Sequence, residues 1–248
     1  TIEPAYEGYF DLITSNIPFG DVRLFDPAFS SSRDPVRRQG AWAIHNYFFM
    51  KSVDLVRDGG LVAFITSQGM ADSERNKPVR EWLMERCDLV AAVRLPNNLF
   101  ADHAGTEVGS DLIILQKNPA AKPLSERQRN FIETRTLSNG ITVNNSFQSL
   151  DRVVQTSAKV GTNPYGKPAM EFTYAGGVEG IARALADMLA EDMERHFNRE
   201  LYESHALKIA PHQYREQQTE TVSPRQAHNG IGQVRNTEPV SYTHLTLP

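Results

Sequence analysis

The segment Ser15-Asn16-Ile17-Pro18-Phe19-Gly20-Asp21 holds the most chemically suggestive grouping in the chain. A carboxamide, a backbone turn set by proline and an aromatic ring fall within a few residues of one another. The amide accepts and donates hydrogen bonds, and the ring offers a flat stacking face. An Asn-x-Pro turn is also ordinary punctuation at the end of a strand, so the tetrapeptide alone leaves both uses open. Residues 21–39 follow as a polar loop carrying Arg23, Arg33, Arg37 and Arg38. Such cations suit phosphate contacts. Asp21, Asp26 and Asp34 in the same loop suit a solvated surface equally well. His45 falls in a helix pattern and reads as packing or surface. His103 has no carboxylates at metal-ligand spacing, and no metal site is expected. Cys87, the single cysteine, has no proline before it and reads as buried filler rather than a nucleophile. Asn163-Pro164-Tyr165-Gly166 follows no apolar strand and reads as a loop.

The elements around these residues give the first grouping its weight. Residues 10–15 form an apolar run read as a buried strand, ending at the turn cluster 16–20. A helix pattern spans residues 41–56, with Ile44, Phe48, Val53 and Val56 on one face and Gly59-Gly60 as its stop. A second strand is expected over 61–66. Pro78 opens a helix running to about residue 87. Further strands follow at 89–95 and 111–116. Near-continuous apolar strands separated by helices indicate an α/β fold with a mostly parallel sheet covered on both faces. Ligands of such sheets bind at the carboxyl ends of the strands, which is where Asn16 stands. Only residues 97–110 join the last two strands, too few for a right-handed crossover, so that pair is expected to be antiparallel.

Beyond Lys117 the pattern weakens. Residues 118–169 are polar and turn-rich, and only short strands are expected there. A helix is predicted over about 178–197, where Ile181, Leu185, Met188, Leu189 and Met193 recur on one face suited to packing on a core. From about residue 211 the chain is rich in Gln, Thr, Arg and His and reads as a disordered tail. Its last residues, Ser241 to Pro248, resemble a translated cloning adapter and are set aside. The chain thus divides into a half-domain over 1–118, a polar region with a helical appendage over 119–210, and the tail over 211–248.

Asn16-Ile17-Pro18-Phe19 resembles the Asn-Pro-Pro-Phe/Tyr motif of amino-group DNA methyltransferases, chiefly the adenine-N6 class. In order after it come Leu55-Val56-Arg57-Asp58-Gly59-Gly60, then Arg94-Leu95-Pro96-Asn97-Asn98-Leu99-Phe100, then residues 105–117. This succession over residues 10–117 is similar to the second half of an N6-adenine DNA methylase domain, as in type I modification subunits. It is closer still to the methylase portions of very large proteins that also carry a helicase. The resemblance implies a Rossmann-like S-adenosylmethionine-dependent sheet and methyl transfer to the exocyclic amine of an adenine flipped out of double-stranded DNA. It also implies roles. The Asn16 oxygen and the Ile17 carbonyl accept the two N–H bonds of the amine, and Phe19 stacks on the flipped base. Arg23, Arg33, Arg37 and Arg38 would hold the DNA backbone.

The sequence departs from the motif at Ile17, where the first proline usually stands. The carbonyl survives the change, and Pro18 still biases Ile17 towards extended geometry. In the family, S-adenosylmethionine binds through a Gly-rich turn in the first half of the sheet. No such turn precedes Asn16, so the cofactor half is expected upstream of residue 1, in the same polypeptide. Two other readings stay open. One is a degenerate, non-catalytic module serving as a DNA-binding scaffold. The other is a methyltransferase acting on another planar amine or amide, such as cytosine N4, guanine N2 or a protein glutamine.

Composition narrows the partners. Lys and Arg total 26 against 30 Asp and Glu, a net charge of −4, so any contact with nucleic acid must come from a local patch. One cysteine excludes a disulfide framework and a cysteine-based zinc site, and it suits a reducing, cytoplasmic setting. No apolar run approaches the roughly 18 residues of a membrane span. The start, Thr1-Ile2-Glu3-Pro4, lacks both a leader pattern and a Met, and the chain is expected to begin inside a longer polypeptide.

Overall fold

Four apolar runs become one sheet in a computed structural model, which describes residues 6–18, 20, 22–100, 108–120, 122–163 and 166–206. Strands β1 (Phe10–Asn16), β2 (Val56–Ser67), β3 (Cys87–Leu95) and β4 (Ser110–Lys117) lie in the order β1-β2-β4-β3. β1 and β2 are parallel, while β4 runs antiparallel to both β2 and β3. The short link between β3 and β4 can only send the chain back beside itself, as the sequence implies. β4 is thereby inserted between two strands that run the same way.

Helices α1 (Pro27–Ser30), α2 (Pro35–Gly40) and α3 (Ile44–Leu55) connect β1 to β2, and α4 (Gly69–Asp72) and α5 (Lys77–Met84) connect β2 to β3. The main core joins α3 and α5 to one face of the sheet through Phe49, Met50, Val53, Val79 and Leu83 against Val62, Phe64, Ala92 and Ile113. Val93, next to Ala92 and therefore turned to the opposite face, packs with Val154 and Ile181. Ile181 belongs to α7 (Gly177–His196), which lies along β3 with Leu185, Met188 and Leu189 half-buried. Before it come α6 (Glu126–Ile132) and two hairpins, β5 (Thr134–Thr136) with β6 (Thr142–Asn144) and β7 (Ser157–Thr162) with β8 (Pro168–Thr173). A last helix, α8 (Arg199–Ser204), lies against β2. Residues up to Ala206 form one unit. Among the described residues no helix is long and apolar enough to cross a membrane. The tail expected over 211–248 lies outside the described residues.

Several expectations change. β1 is not a buried strand, since Phe10 is 37% and Leu12 51% exposed. Among the described residues it lies at the sheet edge with β2 as its one neighbour, and composition does not report how many neighbours a strand has. Gly59-Gly60 does not stop a helix. α3 ends at Leu55 and passes directly into β2, whose interior holds Gly59 at φ +76°. That positive φ kinks the strand where only glycine fits without strain. A Cβ on Gly59 would collide with the Leu201 carbonyl of α8. Loop 21–39 contains two short helices, each opened by an Asp-Pro pair. Asp26 caps α1 by accepting from Ala28 N–H at 2.8 Å, and Asp34 caps α2 by accepting from Val36 N–H at 2.8 Å. On α3 the buried aromatic is Phe49 rather than Phe48. Residues 118–169 contain a true helix, α6, started by a Ser125/Gln128 capping box.

Candidate functional site

β1 delivers the motif to the carboxyl end of the parallel pair. Asn16 stands opposite Ile65 at the end of the ladder, and the next bond is the last one. Ile17 N–H donates to the Ile65 carbonyl at 2.9 Å, and its side chain is 1% exposed within the core. Asn16 and Pro18 on either side of it are exposed. The residue departing from the motif therefore has a physical reason. A proline at 17 would have no N–H for Ile65, whereas isoleucine supplies both the bond and buried apolar area. Phe19 lies outside the described residues, as does Asp21.

The four arginines separate. Arg37 reaches Asp54 with both terminal nitrogens, at 2.8 and 2.6 Å, and stacks 4.4 Å from the Phe29 ring. The Asp54 hydrogen bond holds its guanidinium above the ordinary pKa. Arg37 thus ties α2 to α3 and faces inward. Arg23, Arg33 and Arg38 are exposed. Arg38 donates to the Ser32 carbonyl at 2.6 Å, and Arg23 lies 5.9 Å from the Trp42 ring centre. The neighbouring acids are not a solvated face. Asp26 accepts from the Tyr47 hydroxyl at 2.8 Å, and Asp34 from Trp82 Nε1 at 2.9 Å.

A buried charge cluster lies elsewhere in the fold, and sequence reasoning misses it. Arg94 at the end of β3 donates to Asp111 Oδ1 at 2.9 Å and Oδ2 at 3.1 Å, and to Asp72 Oδ1 at 2.9 Å. Its guanidinium lies 4.1 Å from the Phe147 ring. Asn144 N–H donates to the same Asp72 oxygen at 2.8 Å. Arg94 is 1% and Asp111 0% exposed. Burial pushes the Asp111 carboxyl up against the lowering pull of Arg94. Burial would lower Arg94, but the charges of Asp111 and Asp72 outweigh it and leave it raised. The cluster fastens the carboxyl end of β3 and the start of β4 to the end of α4. Its signal is present in the sequence. Arg94 and Asp111 interrupt otherwise apolar strand runs, and a charge in a buried strand requires a partner.

The remaining sequence candidates are structural. His45 contacts Asn76 Nδ2 at 3.1 Å, and the same Asn76 accepts from Asn46 Nδ2 at 2.8 Å and donates to the Gly69 carbonyl at 2.7 Å. This joins α3 to α4. His103 lies outside the described residues. Cys87 is 2% exposed, and burial pushes its thiol up to about 12. Ellman's reagent at pH 8 should therefore leave Cys87 unmodified in the folded chain and label it within minutes in denaturant. Stoichiometric labelling of the native protein would contradict the burial of this strand end.

Of the two Gly-Gly pairs of the chain, one is closed by the chain itself: Gly59 faces Leu201, and Gly60 approaches the Asp11 carbonyl. In the other, Gly176 is backed by the Tyr174 ring, while Gly177 at φ +62° faces open space.

Residues 3–171 match the family described as N-6 DNA Methylase, and the chain belongs to that family. Among solved structures it is similar to the EcoKI M protein of a type I restriction enzyme, at 14% identity, over 86% of this chain and 53% of that one, with a TM-score of 0.35. A type I modification subunit from Vibrio vulnificus YJ016 is similar at 14% identity, over 71% and 39%, with a TM-score of 0.37. A protein described as a class I S-adenosylmethionine-dependent methyltransferase from Listeria monocytogenes is similar at 17% identity, over 47% and 34%, with a TM-score of 0.37. The chain matches between 34% and 53% of the lengths of these three proteins. No curated protein matches it.

Proposed function

We propose that this chain is the catalytic half of an adenine-N6 DNA methyltransferase of restriction-modification type, acting on an adenine flipped from double-stranded DNA with S-adenosylmethionine as donor. The observation that carries the reading is the motif's position. Asn16 is exposed at the carboxyl end of β1, and the Ile17 N–H bond to Ile65 anchors the turn beside it. An aromatic amine delocalises its lone pair into the ring and is a poor nucleophile. The Asn16 oxygen and the Ile17 carbonyl accept its two N–H bonds, draw the nitrogen towards tetrahedral geometry and free the lone pair on its other side. S-adenosylmethionine, when bound, supplies an electrophilic methyl group. Phe19 stacks on the flipped base, and Arg23, Arg33 and Arg38 hold the backbone beside it. Arg37, paired with Asp54, drops out of that set.

The scaffold reading draws its force from Ile17. The ladder bond and the buried side chain give that residue a structural purpose, which supports catalysis.

The edge of β1 supports a second part of the proposal. Phe10 and Leu12 are exposed on a strand whose outer side pairs with no other among the described residues. Such an edge accepts an added strand through its unpaired backbone groups. A strand of the segment that binds S-adenosylmethionine pairs there. Isothermal titration should register cofactor binding when the chain is joined to that segment. Micromolar binding by the 248-residue chain alone would overturn this division of labour.

A further inference from the structure

Between β1 and α3 the chain exposes large aromatic side chains to water. Phe25 is 85% and Trp42 59% exposed. The Leu24 N–H donates to the Ala41 carbonyl at 3.0 Å. This bond brings the two stretches together one residue before each ring. Arg23 extends its guanidinium to 5.9 Å from the centre of the Trp42 ring. The other tryptophan gives the contrast. Trp82 is 5% exposed, and its Nε1–H donates to Asp34 at 2.9 Å. One indole serves the core while the other contributes almost nothing to it.

The charges nearby favour an anionic, aromatic occupant. Asp26 is taken up by the α1 cap and Tyr47, Asp34 by the α2 cap and Trp82, and Asp54 by Arg37. The exposed cations of this connection, Arg23, Arg33 and Arg38, are left without those acids as counter-charges. Flat rings interleaved with arginines are the makeup of a surface that tracks a nucleic-acid backbone and stacks its bases. The same connection begins at the Asn16 turn.

We propose that Phe25 and Trp42, with Arg23, form a stacking platform for unpaired bases of the DNA strand next to the target adenine. The platform rests on the proposed function and adds to it a place for the bases that duplex opening exposes. It recognises base faces and phosphate charge, not a base sequence.

Trp42 is its own reporter. Titrating the full chain with single-stranded DNA of about 12 nucleotides, within the span such surfaces cover, should quench Trp42 emission. Trp42→Phe should abolish the quench while keeping most of the affinity, since Trp82 is buried. Phe25→Ala and Trp42→Ala should each weaken binding about tenfold, the lower end for loss of one base–aromatic stack. Arg23→Gln should lower the slope of log affinity against log salt by about one. Circular dichroism of each variant checks that the fold is kept, which is expected because these side chains are exposed. Unchanged Trp42 emission on saturation with DNA would overturn the platform, as would wild-type affinity in both alanine variants. Emission that shifts with chain concentration instead would identify a self-association surface and equally overturn it. Quenching by DNA, with no methyl transfer even when the chain is joined to its S-adenosylmethionine-binding segment, would support the platform and count against the proposed function alone.

Discussion

Asn16→Ala, in the chain joined to its S-adenosylmethionine-binding segment, should lower the single-turnover rate of adenine methylation by about 10²–10³-fold. The loss belongs to the chemical step, because the amide acts on an amine whose charge develops only as the new bond forms. The ground state gains little from it, so DNA and cofactor affinities should change by much less. The fold should hardly notice either. Asn16 is exposed at a strand end, and surface changes of this kind stay within about 0.5 kcal/mol. Rapid-quench methylation and a thermal melt on the same sample separate the two effects. A wild-type rate from a folded variant would remove Asn16 from the mechanism.

Arg94→Ala should be among the most damaging single changes for stability, costing about 3–5 kcal/mol. It leaves Asp111, 0% exposed, without its bidentate partner, and takes from Asp72 its ion pair. The cost comes from the stranded carboxylate rather than from the strength of the pair. Arg94→Met combined with Asp111→Leu should therefore be markedly less destabilised than Arg94→Ala, because an apolar pair leaves no buried charge behind. Urea unfolding of the three chains measures this. A loss under about 1 kcal/mol for Arg94→Ala would mean that water reaches the cluster and that it does not fasten the strand ends.

Sequence and structure agree where burial and periodicity act locally. β2, β3 and β4 read as strands because both of their faces are covered, which leaves continuous apolar runs. The antiparallel return of β4 follows from the shortness of the link before it. β1 has the same composition but a different fate, since exposure at an edge depends on which strand lies alongside. Gly59 looks like a helix stop until α8, far along the chain, is seen against it. The Asp-Pro openings of α1 and α2 and the Ser125/Gln128 box of α6 are local signals that a reading by apolar period passes over.

The site divides in the same way. Asn16, Ile17 and Pro18 stand where the strand-end argument puts them. Arg37 and Arg38 are adjacent in sequence and equal in type, yet one is drawn inward by Asp54 on another helix and the other faces water. No local pattern separates them. The Arg94–Asp111–Asp72 cluster joins three segments, so only its members, and not their pairing, are visible in the sequence.

If this chain presents an adenine amine for methylation, the identity of the methylated base reveals it. The chain and its S-adenosylmethionine-binding segment would be incubated with duplex DNA and isotopically labelled S-adenosylmethionine. The DNA would then be digested to nucleosides and separated with mass detection. Label is expected in N6-methyladenine and in no other base. Label in N4-methylcytosine, or DNA without label beside methylated protein, would contradict it.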